Sequence, residues 1–235
     1  MQYIISSVKN DKGSEQHIGG KAKTLIELKK LGFNVPEFFV ISSDCDIFAV
    51  QEKILEEYDS LGGGLVAVRS SAVGEDGSIK SFAGQYKSLL NVSKENLVNA
   101  IKECIDSLNT AHALSYSQNN VVNKMAIIVQ KMIFAEISGV AFSADPVRND
   151  RSMIIIESVN GQCESLVSGK CSPDHYAISK DRPFEINIPS NIQNVANITK
   201  EIESKLGYFV DVEWAICENV LYILQARPIT TLNNT

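Results

Sequence analysis

The stretch from Arg69 to Ser88 constrains the fold of this chain more than any other. An apolar run, Leu65–Val68, leads directly into it, and a second strand-like run follows at 86–92. Between the two runs stand hydroxyls, glycines and charged residues without a regular apolar pattern. Because such a segment adds little to a core, we predict two strands of a hairpin, at 65–69 and 86–92, joined by a polar loop.

The same stretch carries groups that suit a polyanion. Arg69 offers a planar fork of donors for phosphate oxygens, and hydroxyls and backbone N–H groups near glycine can line the remaining oxygens. Glu75 and Asp76 would repel phosphate unless a cation lay between them, which suggests magnesium. From these residues alone, a phosphate loop and an ordinary polar surface hairpin are equally good interpretations.

Composition excludes several classes of protein. The 235 residues are 44% hydrophobic, enough for one large domain or two lobes. The net charge of -6 argues against a basic face for nucleic acid. No apolar run is long enough to cross a bilayer and the first residues do not form a signal peptide, so we expect a cytoplasmic protein without a membrane partner.

The apolar pattern divides the chain into an N-terminal lobe, residues 1–120, and a C-terminal lobe, residues 121–235. Helical periodicity predicts helices at 45–59 and 95–117 in the first lobe and at 195–206 in the second. The second lobe is richer in strands, which are joined by short turns. The predicted class is therefore α+β, with antiparallel sheets flanked by helices.

The start of one predicted helix and the end of one predicted strand have residues that could bind a nucleotide, but each can also be explained as a turn. Gly19-Gly20-Lys21 opens a predicted helix, whose N-terminal N–H groups and lysine charge can hold a phosphate, although the pattern GxxxxGK[ST] is absent. Gln130-Lys131-Met132 ends an apolar strand, where an adenine ring could meet backbone amides. Taken alone, each is more typical of a simple turn.

Two apolar strands near the C-terminus form a predicted hairpin that turns at Glu218-Asn219. Alternation is expected to place Asp211, Glu213 and Ala215 on one face of the first strand, and Ile223, Gln225 and Arg227 on one face of the second. We therefore expect Glu213, Gln225 and Arg227 to converge. Carboxylate and amide oxygens together suit magnesium, and Arg227 could neutralise charge on a transferred phosphate. The alternative is a cross-strand Glu–Arg pair on a solvated face.

Six features occur in order along the chain: Gly19-Gly20-Lys21, Arg69-Ser70-Ser71-Ala72, Ser81-Phe82-Ala83-Gly84-Gln85, Gln130-Lys131-Met132, Ser138–Pro146, and Glu213 with Gln225-Ala226-Arg227-Pro228. Together they resemble the ATP-binding domain of the pyruvate phosphate dikinase, phosphoenolpyruvate synthase and rifampicin phosphotransferase family. The resemblance covers nearly the whole chain, although the region between Val40 and Leu65 is shorter than is usual in the family. It implies an ATP-grasp-like fold of two lobes, with ATP and Mg²⁺ as cofactors.

The resemblance also implies a set of ATP-binding residues: Lys21, Arg69, Gly84, Ser88, Gln130, Glu213, Gln225 and Arg227. Within this set, Lys21, Arg69 and Arg227 are the implied catalytic cations, and Glu213 and Gln225 are the implied magnesium ligands. The magnesium role therefore moves from Glu75 and Asp76 to the C-terminal hairpin. Ser88 stands where the family often has threonine.

The family's enzymes continue into a phosphohistidine domain and a substrate domain, but none of the three histidines here lies in a segment of that kind. We therefore expect transfer of phosphoryl or pyrophosphoryl from Mg-ATP to a histidine on a separate partner, which in the family leaves AMP. Two alternatives stay open at this point. One is a kinase that phosphorylates a small molecule directly, and the other is a nucleotide-binding module without turnover.

Overall fold

The chain folds as two units. The computed structural model describes residues 3–7, 17–73, 87–115, 124–162, 172–184 and 187–232. Unit 1 comprises Met1–Ile26 and Pro36–Met132, and unit 2 comprises Glu27–Val35 and Ile133–Thr235. The predicted site residue Gly84, with Glu75 and Asp76, lies outside the described residues.

A five-stranded sheet forms the centre of unit 1. Its strands are β1 (Ile4–Ser6), β2 (Phe38–Ile41), β3 (Val66–Ala72), β4 (Ser88–Val92) and β5 (Met125–Lys131). They lie in the order β1-β2-β5-β3-β4, and all neighbours are antiparallel. A boundary after residue 120 would cut β5 from β2 and β3, the two strands with which it pairs. Because both precede residue 120, the unit runs on to Met132.

The helices that begin in unit 1 are α1 (Gly19–Lys30), α2 (Gln51–Ser60) and α3 (Leu97–Ser115). Of these, α2 and α3 cover one face of the sheet, and the start of α1 is bonded to a residue of the other face. Alternate strand residues such as Phe39, Val68 and Val129 pack in one buried cluster with Ile54 of α2 and Ile101 of α3. The core of unit 1 therefore lies between the sheet and α2 and α3, and the opposite sheet face carries a different set of side chains.

The starts of two helices differ from their predicted positions. The helix predicted at 45–59 begins only at Gln51, because the preceding residues form turns in which the Asp46 carboxylate accepts the Phe48 N–H at 3.0 Å. The helix predicted at 195–206 begins at Ser190, directly after Pro189, which fixes the backbone for a helix start without needing a donor.

The segment after Arg69 was expected to be a loop, and this prediction is wrong for its first residues. β3 continues to Ala72, and Ser70, Ser71 and Ala72 are buried. β3 is an inner strand, and its hydroxyls are satisfied inside the fold: Ser70 donates to the Lys87 carbonyl at 2.9 Å. Small hydroxyl side chains can thus fill a core position when each finds a partner.

Unit 2 is built on a second antiparallel sheet of five strands. They are β6 (Ile137–Phe142), β7 (Met153–Asn160), β8 (Asp174–Ser179), β9 (Val210–Cys217) and β10 (Val220–Pro228), in the order β10-β9-β6-β7-β8. Helix α4 (Ser190–Leu206) belongs to the same unit and ends at Gly207, which has φ +78°. The β9–β10 turn is at Glu218 and Asn219 as predicted, and both have positive φ, as a tight two-residue hairpin turn requires. None of the helices within the described ranges is long and apolar enough to cross a membrane.

Candidate functional site

In unit 1, three of the predicted site residues share one sheet face. Arg69 of β3 pairs directly with Ser88 of β4, and Gln130 of β5 pairs with Ala67 of β3. Because Ala67 and Arg69 are two residues apart on one strand, Arg69, Ser88 and Gln130 lie on the same face. This is the face opposite the core formed with α2 and α3. Directly opposed residues have Cβ atoms about 5 Å apart, so Arg69 and Ser88 can contact one ligand together.

The predicted lysine lies in the first turn of α1. The start of this helix is bonded to β3: the Ala22 N–H donates to the Ser71 hydroxyl at 3.2 Å. Ser71 is two residues from Arg69 and therefore on the same face of β3. The N-terminal turn with Lys21 is thus held to the strand that carries Arg69, a link that the sequence did not suggest.

Gln130 has an environment unlike that of a surface turn. Its side chain is 2% exposed, and its Nε2 atom has no hydrogen-bond partner among the described residues. A buried amide donor without a partner is destabilising by an amount comparable to a lost hydrogen bond. An acceptor on a bound molecule would remove this penalty. The assignment of Gln130 to the nucleotide stays a prediction, for which this donor is a candidate contact.

In unit 2, the two predicted magnesium ligands are directly opposed. Gln225 pairs with Glu213, and its Nε2 donates to Glu213 Oε1 at 3.3 Å. This pairing depends on an irregularity in β10 between Ile223 and Gln225. If the regular pairing from the turn continued without an extra residue in β10, Glu213 would pair with Leu224. The irregularity is a β-bulge, which is a device that re-aims side chains.

The bulge corrects one detail of the sequence prediction. Ile223 was placed on the same face as Gln225 and Arg227, but it pairs with Trp214 and is buried on the other face. Strict alternation fails here because one residue of β10 has no pairing partner in β9. The expected convergence of Glu213, Gln225 and Arg227 on one face holds only because of this insertion.

Arg227 has a partner that sequence reasoning missed. Its Nε and Nη2 atoms both bond Asp211 Oδ2, at 2.7 and 2.6 Å. Asp211 is opposite Arg227 in the strand pairing, so the Glu–Arg pair considered as an alternative is an Asp–Arg pair instead. Burial raises the pKa of Asp211 above its ordinary value, although the Arg227 guanidinium acts in the opposite direction. The signal in the sequence was alternation, which puts Asp211 and Glu213 on one face.

A continuous row of side chains crosses this face of the second sheet. The pairings align five residues, one from each strand: Gln225, Glu213, Val140, Glu157 and His175. His175 Nδ1 is 4.0 Å from Glu157 Oε1 at one end of the row. The row therefore has an amide and a carboxylate at one end and a second carboxylate with an imidazole at the other.

The side-chain oxygens of Glu213 and Gln225 are of the type that binds a hard cation such as magnesium. Magnesium is bound by few protein oxygens, commonly one or two carboxylates together with substrate phosphates. One carboxylate and one amide oxygen meet that description. Within the described ranges, no group of three or more His, Cys, Asp or Glu side chains is arranged as a metal centre of its own.

Comparison with known proteins identifies the class. The family described as "Pyruvate phosphate dikinase, AMP/ATP-binding domain" matches residues 48–189 and 186–235. The chain belongs to this family, which confirms the predicted resemblance. The match includes Arg69, Gln130 and the β9–β10 residues, whereas Lys21 precedes it.

Three curated relatives are similar to much of the chain. An uncharacterized phosphotransferase, YvkC, of Bacillus subtilis is 31% identical over 94% of the chain. A rifampicin phosphotransferase of Bacillus cereus and a probable phosphoenolpyruvate synthase of Methanocaldococcus jannaschii are each 35% identical over 71% of it. The aligned parts make up 34%, 23% and 17% of the lengths of these three relatives. The chain thus spans about a third or less of each.

The fold has counterparts among solved structures. The L-amino acid ligase of Bacillus licheniformis superposes with a TM-score of 0.50 at 12% identity, covering 90% of this chain and 42% of that one. At this identity the likeness concerns the fold alone. The α+β, ATP-grasp-like class with two antiparallel sheets is as predicted.

Proposed function

We propose that this chain binds Mg-ATP and transfers a phosphoryl or pyrophosphoryl group to a histidine on a separate partner. The observation that carries the proposal is the β9–β10 hairpin, where Gln225 meets Glu213 and Asp211 holds Arg227 on one face. A cross-strand pair that served only stability would not need a bulge to align it. Membership in a family of ATP-binding domains supports ATP as the ligand of this arrangement.

The role proposed for each residue follows from the chemistry of its side chain. In unit 1, Arg69, Ser88 and Lys21 would bind phosphate oxygens, and the buried Gln130 amide would donate to an acceptor on the base. In unit 2, Arg227 would neutralise charge that builds up on the transferred group. Asp211 bonds two guanidinium nitrogens, so it fixes the plane of Arg227 before the nucleotide binds.

The transfer itself needs no nucleophile from this chain. An imidazole nitrogen of the acceptor would attack phosphorus, and the bond from that phosphorus to the bridging oxygen that leaves with the nucleotide would break. Attack on the β phosphorus releases AMP, and attack on the γ phosphorus releases ADP. When bound at Glu213 and Gln225, magnesium would add charge neutralisation for the phosphate oxygens. Catalysis would then rest on positioning and electrostatics.

Titration calorimetry with Mg-ATP tests the binding step. Wild-type protein should bind, and ATP at a hundredfold excess over its Kd should stabilise the fold by about 2.7 kcal/mol. Lys21→Ala should weaken binding about tenfold or more, because a charge-assisted hydrogen bond contributes about 1.5–3 kcal/mol. Lys23→Ala is the matched control, since Lys23 is an exposed lysine on the same helix. Absence of any binding or stabilisation at millimolar Mg-ATP would overturn the proposal.

The released nucleotide tests the transfer step. Incubation with ATP and a phosphohistidine domain from a relative should yield AMP and a labelled histidine. ADP together with a phosphorylated small molecule would instead favour a direct kinase. If wild-type protein bound Mg-ATP but released neither AMP nor ADP with any acceptor, the chain would be a binding module without turnover. If Arg227→Ala left both nucleotide binding and turnover intact, Arg227 would have no catalytic role.

A further inference from the structure

One buried hydroxyl connects the start of α1 to β3. Ser71 has no exposed surface, and its Oγ donates to the Ile18 carbonyl at 2.8 Å while accepting the Ala22 N–H at 3.2 Å. The hydroxyl is therefore used both as donor and as acceptor. Its two partners flank the helix start, one just before Gly19 and one just after Lys21.

This hydroxyl replaces a local helix cap. Helix starts leave N–H groups unsatisfied, and a serine, threonine or aspartate at the preceding position normally accepts one of them. The residue before α1 is Ile18, whose side chain has no acceptor. Ser71, 49 positions away from Ala22 in the chain, accepts the bond instead. The N-terminal turn of α1 thus depends on β3 for its cap.

Gly19 shows how closely the helix start approaches the strand. Its φ is +69°, and a Cβ built on it would lie 2.5 Å from the Ala72 carbonyl oxygen and 2.6 Å from Ser71 Oγ. Real Cβ atoms do not come so close to backbone, so glycine is required both for the dihedral angle and for the space. The contact leaves no room for the turn to shift towards β3.

We infer that Ser71 is a positioning residue for the nucleotide. It fixes the first turn of α1 against β3, and so fixes Lys21 relative to Arg69, which lies on the same face of β3. The inference rests on the proposed function, because it needs Lys21 and Arg69 to bind one ligand. A site that holds a ligand with two cations gains affinity when they are already at the right separation in the free protein.

A double-mutant cycle with Lys21 tests this role. Ser71→Ala should raise the calorimetric Kd for Mg-ATP about tenfold in the wild-type background. In a Lys21→Ala background the same substitution should change the Kd by less than about twofold, because the group that it positions is already gone. Equal losses in the two backgrounds, or no loss in either, would refute the inference.

Two further variants separate positioning from general stability. Ile54→Val removes one methylene from the α2 side of the same unit, so it should lower the melting temperature without changing the Kd. Ser71→Cys keeps nearly the same volume and weakens both hydrogen bonds, so it should fold and bind with an intermediate Kd. Wild-type affinity in Ser71→Cys would count against the inference. No binding by wild-type protein would instead count against the proposed function.

Discussion

Removing Arg227 should destabilise unit 2 in a way that depends on pH. The Asp211 side chain is only 9% exposed, and the Arg227 side chain is 39% exposed. Arg227→Ala would leave a buried carboxylate without its two charge-assisted hydrogen bonds, whereas loss of Asp211 would leave a guanidinium that water can reach. Arg227→Ala is therefore the more damaging of the two changes.

The magnitude follows from the partners that are lost. Hydrogen bonds to a charged group contribute about 1.5–3 kcal/mol. The buried Asp211 carboxylate without its partner would have a larger desolvation penalty unless it took up a proton. We expect Arg227→Ala to lower the free energy of unfolding by about 2–3 kcal/mol at pH 7. Adding Asp211→Asn removes the charge and should recover about 1–2 kcal/mol of this loss.

The sign of the pH dependence follows from proton linkage. Burial already raises the pKa of Asp211 above 3.8 in the native protein, and loss of Arg227 would raise it further. A carboxyl with the higher pKa in the native state binds more protons there than in the unfolded chain, so stability falls as pH rises from 3.8 through the native pKa. The loss caused by Arg227→Ala should therefore be largest at pH 7 and shrink below about 1 kcal/mol near pH 4.

Urea unfolding at pH 4, 5.5 and 7 measures this loss. Glu201→Gln is a suitable control, because Glu201 forms an exposed ion pair with Lys205 on α4 and should change stability by about 0.5 kcal/mol or less at pH 7. The reasoning would be refuted if the Arg227→Ala loss were the same at every pH, or if Asp211→Asn failed to recover any of it.

Three further outcomes follow from single residues. Gly139→Ala should destabilise the protein by about 3 kcal/mol or more in urea unfolding, because its Cβ would lie 1.9 Å from the Glu157 carbonyl oxygen and 2.9 Å from the Trp214 ring; a near-neutral result would contradict the packing. Gly207→Ala should lower stability by about 1 kcal/mol in the same assay, since φ at this helix end is +78°. Cys104 is buried and its pKa is raised to about 12, so peptide mapping after maleimide treatment at pH 8 should find it unmodified in native protein and modified in urea.

Much of the candidate site could be predicted because it depends on local patterns. The β9–β10 hairpin followed from two alternating apolar runs around Glu218 and Asn219, and the glycines before Lys21 marked a helix start. The bulge before Gln225 could not be predicted, because nothing in the local sequence requires one strand to hold an extra residue. The burial of Ser70 and Ser71 in β3 was also not predicted. Hydroxyl residues are common in loops, and only the structure shows the hydrogen-bond partners that allow them to be buried.

The sequence by itself indicated most of the strands and helices, and it gave Glu213, Gln225 and Arg227 as candidate site residues from their chemistry and their order along the chain. Periodicity and turn chemistry act over a few residues, so they are visible without the fold. Only the tertiary structure decided that Asp211 holds Arg227 and that Ser71 caps α1. Both contacts depend on which strand lies beside which element, and the bond between Ser71 and Ala22 joins positions 49 residues apart. Such a partner is chosen by packing and by the need to satisfy buried polar groups, so the order of residues alone does not reveal it.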